Sequence, residues 1–197
     1  MARVQEQQKE TEKQISGLQT QLQNENKTLQ QQVRVQGEQI QDSVCLLTGF
    51  RPPFRMTLTK FSVHRAGGRR GSWYSNPFYS QTGGYKFSLA IDTNGHLSAS
   101  GTHISAYLHS MLGEYDGDLA WPIQITAHLQ LLNQRGDHGH VVQSLKCSKV
   151  AKGPGPREIA QKFIAQSALG YNAAKNTEYL KDDCLHFRLY LKLEPQK

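Results

Sequence analysis

Proline is missing from residues 1–47 of this 197-residue chain, although 7 prolines follow later. Nothing in that first stretch therefore removes a backbone donor or blocks a continuous helix. Apolar runs are also short. No stretch of about 18 apolar residues occurs, which excludes a membrane-spanning helix of ordinary length. The opening MARVQEQQKE lacks the apolar segment of a secretory signal. The expectation is a soluble cytoplasmic protein without membrane insertion.

Cysteine is scarce. Cys45, Cys147 and Cys184 are far apart and odd in number, which fits reduced thiols and excludes a zinc module built on paired CxxC spacings. No metal and no cofactor is expected. Acidic residues are thin only in the second part of the chain: residues 1–47 hold 5 basic and 6 acidic groups, residues 48–197 hold 18 and 10, and the net charge is +7. The basic excess belongs to residues 48–197 and favours acidic partners over any one fold.

What the first third does have is Gln, Glu and Lys, all good helix formers. Ile15, Leu18, Leu22 and Leu29 repeat at alternating steps of three and four, with Glu25 at the intervening seam position. Val33, Ile40, Val44 and Leu47 continue the stripe, with Gln36 between. The four-residue step from Leu29 to Val33 is a stutter, which locally unwinds a left-handed coil. So narrow a stripe buries little on a solitary helix, so residues 1–47 are predicted to form a parallel coiled coil. A glutamine-rich disordered linker is the alternative. The mixed Ile, Leu and Val seam does not choose between dimer and trimer.

Beyond residue 47, Gly49, Pro52 and Pro53 stop the helix, and a β domain over 48–197 is predicted. Period-two alternation marks strands at 54–63, 85–92, 102–111, 125–132 and 184–193, with a shorter candidate at 140–145. Turn chemistry at 65–72, 75–77, 82–84, 93–96, 114–118, 133–139 and 153–156 separates them. At most one helix is expected, over 157–167 (REIAQKFIAQS). The pattern indicates an antiparallel β-sandwich.

Three segments, NPFYSQTGGYKFSL, GTHISAYLHSMLGEYDGDLAWPIQITAHLQLLNQ and YLKDDCLHFRLYL, resemble the C-terminal domain of the tumour necrosis factor receptor-associated factors, within the meprin-and-TRAF-homology (MATH) superfamily. The likeness runs from about residue 48 to 193, and its most specific pieces are GEYDGDLAWP and YLKDD. The resemblance implies an eight-stranded antiparallel sandwich on a parallel trimeric coiled coil. It implies a non-enzymatic adapter of immune-type signalling whose partners are copies of itself and the cytoplasmic tails of receptors of the tumour necrosis factor type, or other adapters. Peptides would bind in extended form along a sheet edge, where main-chain hydrogen bonds give a generic grip and shallow pockets read side chains.

Carried over position by position, the family's apolar groove floor falls on Tyr107, Leu129 and Leu145, and its closing segment on Ala168, Leu169, Gly170 and Tyr171. Tyr107, Leu129 and Leu145 each lie in an alternating strand, so plain core is the competing expectation. The polar half departs from the family. Where many members grip an acidic peptide residue with Arg and Tyr, this chain has Ala90 and Asp92, and His96 stands in place of an acidic turn residue. The family's serines are represented at most by Ser148 and Ser167. Asp92 would repel a peptide carboxylate. The expectation is a surviving groove that reads a basic or neutral peptide. Two alternatives stay open: a structural trimerisation scaffold with a decayed groove, or the substrate-recognition part of a ubiquitin ligase whose catalytic domain is absent here.

Other constellations read as ordinary surface. Arg65, Arg69 and Arg70 sit in a glycine-rich turn without the interleaved aromatics of a single-strand binder, so no nucleic acid is expected. Arg135–Asp137 (RGD) is read as turn chemistry, and Asp137, His138 and His140 as too few for a metal. Cys184 and His186 share a strand face, but nothing supplies an oxyanion hole or orienting acid. Asp182 and Asp183 are read as loop hydrogen-bonding residues.

Overall fold

The computed structural model describes residues 2–47, 49–51, 53–67, 71–136, 139–169 and 177–195. The chain divides between Ser43 and Val44 into two units.

The first unit is helical. Helix α1 spans Ala2–Leu47, 46 residues, or about 70 Å at 1.5 Å per residue. The hydroxyls of Thr11, Thr20 and Thr28 donate to carbonyls four residues back, so their side-chain donors are satisfied within the helix. Gln21 Nε2 donates to Glu25 Oε1 at 3.1 Å, one turn on. The predicted seam is exposed along its whole length, including Ile15, Leu18, Leu22, Leu29, Val33 and Ile40, and further on Val44 and Leu47. Among the described residues no helix is long and apolar enough to cross a membrane.

The second unit is a sandwich of two antiparallel sheets. Its strands are β1 (Phe54–Leu58), β2 (Ser72–Tyr74), β3 (Phe78–Tyr79), β4 (Lys86–Asp92), β5 (His103–Ser110), β6 (Ile123–Leu131), β7 (Val141–Val150), β8 (Gly155–Ala165) and β9 (Leu185–Pro195). One sheet has the order β1-β9-β6-β7; the other has the order β2-β4-β5-β8, with β3 also on β4. Both β2 and β3 occupy the same side of β4, at Ala90–Asp92 and Lys86–Phe87 respectively. They are two pieces of one edge strand, so nine segments fill eight strand positions. Ser75 and Pro77 make the interruption: the Ser75 hydroxyl accepts the Leu89 N–H at 2.9 Å, standing in for a main-chain carbonyl, and Pro77 has no N–H to offer.

Alternation explains the core. In β6, Ile123, Ile125, Ala127, Leu129 and Leu131 are each 0% exposed, while Gln124, Thr126, His128 and Gln130 face outward. Phe87, Leu89 and Ile91 of β4, Ile104, Ala106 and Leu108 of β5, and Leu185, Phe187, Leu189 and Leu191 of β9 complete the interior. The GEYDGDLAWP loop is anchored by Asp116, whose Oδ2 accepts the Gly113 N–H and whose carbonyl accepts the Trp121 indole N–H. Trp121 stacks edge-on against Tyr85, and the Tyr85 hydroxyl donates to Ala120 O at 2.6 Å.

Two expectations are corrected. Residues 157–167 are not helical: β8 runs to Ala165, pairing with β5 through two register shifts. The bulges break strict alternation, so Ile159, Phe163 and Ile164 come inward at intervals that mimic a helix face. The strand predicted over 54–63 ends at Leu58. Lys60 turns left-handed (φ 55°), and Phe61–Ala66 form helix α2. Its first turn is held from far along the chain: Asp183 accepts the Ser62 N–H at 2.9 Å and the Ser62 hydroxyl at 2.7 Å, and its carbonyl accepts the Phe61 N–H.

Candidate functional site

The outward faces of β2, β4, β5 and β8 carry one row of side chains in direct register: Tyr74, Ala90, Tyr107 and Glu158. The next row along holds Ser72, Asp92 and Ser105. On the other side of Tyr107, His109 lies opposite Ser88 on β4 and Pro156 on β8. These positions face outward because Phe87, Leu89, Ile91, Ile104, Ala106 and Leu108 take the alternate, inward positions. Tyr74 is 57% exposed, and Tyr107 is partly exposed; Ala90, between them, is only 2% exposed and lies below their level.

The turn after β4 delivers His96 to this face. Gly95 makes the turn with φ +73°; a Cβ there would come within 2.3 Å of the Ala99 carbonyl oxygen, so only glycine fits. His96 Nδ1 lies 3.0 Å from the Tyr107 hydroxyl, and its backbone N–H donates to the Ser105 hydroxyl at 3.0 Å. The Ser105 hydroxyl in turn donates to Gln161 O on β8 at 2.5 Å, tying the turn to the edge strand. Asp92 accepts a hydrogen bond from the Ser72 hydroxyl. The Tyr74 ring meets His109 edge-on at 5.6 Å.

The titration of two groups reflects this setting. Burial raises the Tyr107 hydroxyl above the usual tyrosine value, and the charges of Glu158 and then Asp92 raise it further, against a smaller opposing effect from Ser105. Burial lowers His109 below the usual imidazole value, and Asp92 opposes that with a smaller pull upward. Near neutral pH these shifts leave Tyr107 a phenol and His109 uncharged.

Strand β8 ends the order β2-β4-β5-β8, as β7 ends the other sheet, and the two edge strands lie near each other. Pro156, exposed Glu158, exposed Lys162 and the two register shifts make β8 irregular, devices that discourage indiscriminate strand addition.

The predicted groove residues divide. Tyr107, Ala90, Asp92 and His96 are gathered on this face, and Leu145 is half-buried on edge strand β7. Leu129 and Leu169 are corrected: both are 0% exposed. Leu129 points between the sheets with the inward row of β6, so neither side chain offers surface to a peptide. Gly170 and Tyr171 lie outside the described residues, and Ser148 and Ser167 are exposed on β7 and after β8. Sequence reasoning missed Tyr74, His109 and Glu158. Tyr74 sits on a three-residue strand too short to show alternation, and Glu158 fell in the segment read as helix.

The other constellations are not assembled into sites. Arg65 Nε donates to Gln166 Oε1 at 2.8 Å, while Arg69, Arg70, Asp137 and His138 lie outside the described residues. His140 Nδ1 accepts the Asn133 N–H. His186 Nδ1 pairs with the Thr57 hydroxyl at 2.9 Å, and Cys184 Sγ with Asp182 O, so thiol and imidazole each have another partner. Among the described residues no group of three or more His, Cys, Asp or Glu side chains is placed to hold a metal.

Comparison with known proteins agrees with this architecture. Mouse TNF receptor-associated factor 5 is 35% identical over 133 residues, covering 64% of this chain and 23% of that protein. Human TNF receptor-associated factor 2 is 30% identical over 131 residues, covering 64% and 26%. The chain thus spans about a quarter of the length of these relatives. The solved structure of Notothenia coriiceps TRAF5 superposes with a TM-score of 0.58 at 23% identity, covering 94% of both chains, which bears on the fold alone. The family model described as TRAF/meprin, MATH domain matches residues 70–188, more than half of the chain, and the chain belongs to that family.

Proposed function

We propose that this protein is a cytoplasmic signalling adapter of the TRAF type: α1 assembles copies into a parallel trimer, and each sandwich binds a short extended peptide from a receptor tail or another adapter. The observation that carries the reading is the position of β8 at the end of its sheet, beside the outward row of Tyr74, Tyr107 and Glu158. A peptide laid along that edge would gain main-chain hydrogen bonds from β8 and side-chain contacts from the row. One such contact is weak. Three held in parallel raise the effective concentration of the second and third to about the millimolar range, so clustered receptors are engaged in preference to single ones.

The seam supports the oligomer. Leu18 is 60% exposed and Ile40 65% exposed on a single helix, and copies packing stripe against stripe remove that surface from water. The test is the solution mass of residues 1–197 beside residues 44–197, followed by retention of a random extended-peptide library on each. A trimer that becomes a monomer on losing α1, with peptides retained more strongly by the trimer, supports the adapter. A monomer at both lengths removes the avidity mechanism. The burial of Leu129, from the expected floor, and of Leu169, from the expected closing segment, favours a second reading, a scaffold with a decayed groove; in that case a trimer forms and no peptide is enriched.

A further inference from the structure

We propose that the face around Tyr107 selects peptides carrying a positively charged side chain, arginine above lysine. The inference rests on the peptide-binding reading above and names what that surface reads.

Charge placement comes first. Residues 48–197 hold only 10 acidic groups against 18 basic ones, yet two of the 10 flank a single tyrosine. Glu158 stands directly opposite Tyr107 on β8, and Asp92 is diagonal to it on β4, two positions beyond Ala90. Neither carboxylate forms an ion pair with Lys or Arg among the described residues. Asp92, partly exposed, accepts from the Ser72 hydroxyl through one of its two oxygens. Both charges act on the Tyr107 hydroxyl in the direction that disfavours another negative charge there. A cation gains from the same field.

The cations of this chain that border the face are committed elsewhere or set apart. Lys86 lies at the far end of β4, six positions from Asp92, with its ammonium 5.5 Å from the Tyr79 ring. Arg157 points to the opposite side of β8 from Glu158, and its guanidinium donates to Pro156 O at 2.8 Å. Lys162 is exposed four positions along β8. Of the three histidines on this side, His109 is kept uncharged by burial, His96 turns Nδ1 to the Tyr107 hydroxyl, and His103, four positions from Tyr107 on β5, has Nδ1 against the Thr102 hydroxyl.

The aromatic surface supplies the second element. Tyr74 and Tyr107 stand on either side of Ala90 in one row, about 10 Å apart at two strand spacings. With Ala90 below their level, the two tyrosines flank a gap in the row, each edge-on to a histidine, with Asp92 one row along and Glu158 opposite Tyr107. A guanidinium can lie flat on a tyrosine ring while its N–H groups reach a carboxylate, whereas an ammonium makes only the point-charge contact. That geometry sets arginine above lysine.

The test uses the full chain immobilised, and four pools of labelled decapeptides with randomised flanks and a fixed central Arg, Lys, Ala or Glu. The expected order of retention is Arg, Lys, Ala, Glu, with Arg about tenfold over Ala at low salt and the gap narrowing at 0.5 M NaCl. The double variant D92R/E158R should favour the Glu pool, and the near-isosteric D92N/E158Q should level the pools without changing the thermal melt. Charge reversal at the remote Glu194 should change nothing. Equal retention of all four pools by the unmodified chain, or preference for Glu, overturns the cation assignment while leaving peptide binding intact. Retention of every pool no higher than on a Y107A chain overturns peptide binding at this face, and the assignment with it.

Discussion

The helix and the sandwich solve the same burial problem in opposite ways. Strand β6 hides every second residue completely within its own chain, whereas helix α1 leaves Ile15, Leu18, Leu22, Leu29, Val33 and Ile40 at least half exposed. A sandwich has an inside because two sheets face each other; a single helix has only a stripe, and an inside appears when copies meet. The sandwich is therefore expected to be stable at any concentration, and the helix only above the dissociation constant of its oligomer.

The sharpest way to break that comparison is to replace Leu18, Leu22 and Leu29 together by Asn. The oligomer should dissociate entirely, read as a fall in solution mass, while the denaturant midpoint of the sandwich moves by less than about 0.5 kcal/mol equivalent. If the sandwich unfolds as well, the two units are not independent. The converse change, Leu129→Ala, should destabilise the sandwich by about 3 kcal/mol through a cavity between the sheets, with the mass at low denaturant unchanged.

A smaller effect is expected at helix α2. Asp183→Ala removes the acceptor of two Ser62 hydrogen bonds and should cost about 1–2 kcal/mol in urea unfolding, most of it restored by Asn, which keeps an acceptor and tolerates the left-handed backbone. The smallest effect concerns acid. His109 and His128 have folded values lowered by burial, so the unfolded chain binds protons first as the pH falls. Their contribution is fully present above about 6.5 and is lost as the pH drops through the lowered folded values. A double His→Gln variant should show a flatter decline in urea midpoint between pH 7 and 5; an unchanged slope would assign the acid sensitivity to the carboxylates.

Much of the sandwich was legible because alternation is written residue by residue, and β4, β5, β6 and β9 fall within a few residues of the runs that announced them. The failures have physical causes. Helix α2 depends on Asp183, 121 positions from Ser62, and no local window contains that cap. Strand β8 was read as helix because its bulges bring Ile159 and Phe163 inward four residues apart. At the site, period two told which residues share a face but not which face is inside. Tyr107 and Leu129 are both strand residues in regular alternation, and only the pairing of the sheets puts the first outside and the second in the core.

The place of β9 has a consequence for how the molecule is made. The last strand in chain order is not at the rim; it lies between β1 and β6, and its Leu185, Phe187, Leu189 and Leu191 fill the interior. In chain order α1 comes before the sandwich; at a synthesis rate of about 5–20 residues per second it can form locally well before β9 is available to close the four-stranded sheet. On the proposed self-assembly of α1, neighbouring nascent chains on one message would find each other through finished helices while their sandwiches still wait for a final strand. A premature stop within residues 185–195 would leave β1 and β6 without the neighbour between them, and the product would be a formed helix carrying open sheets.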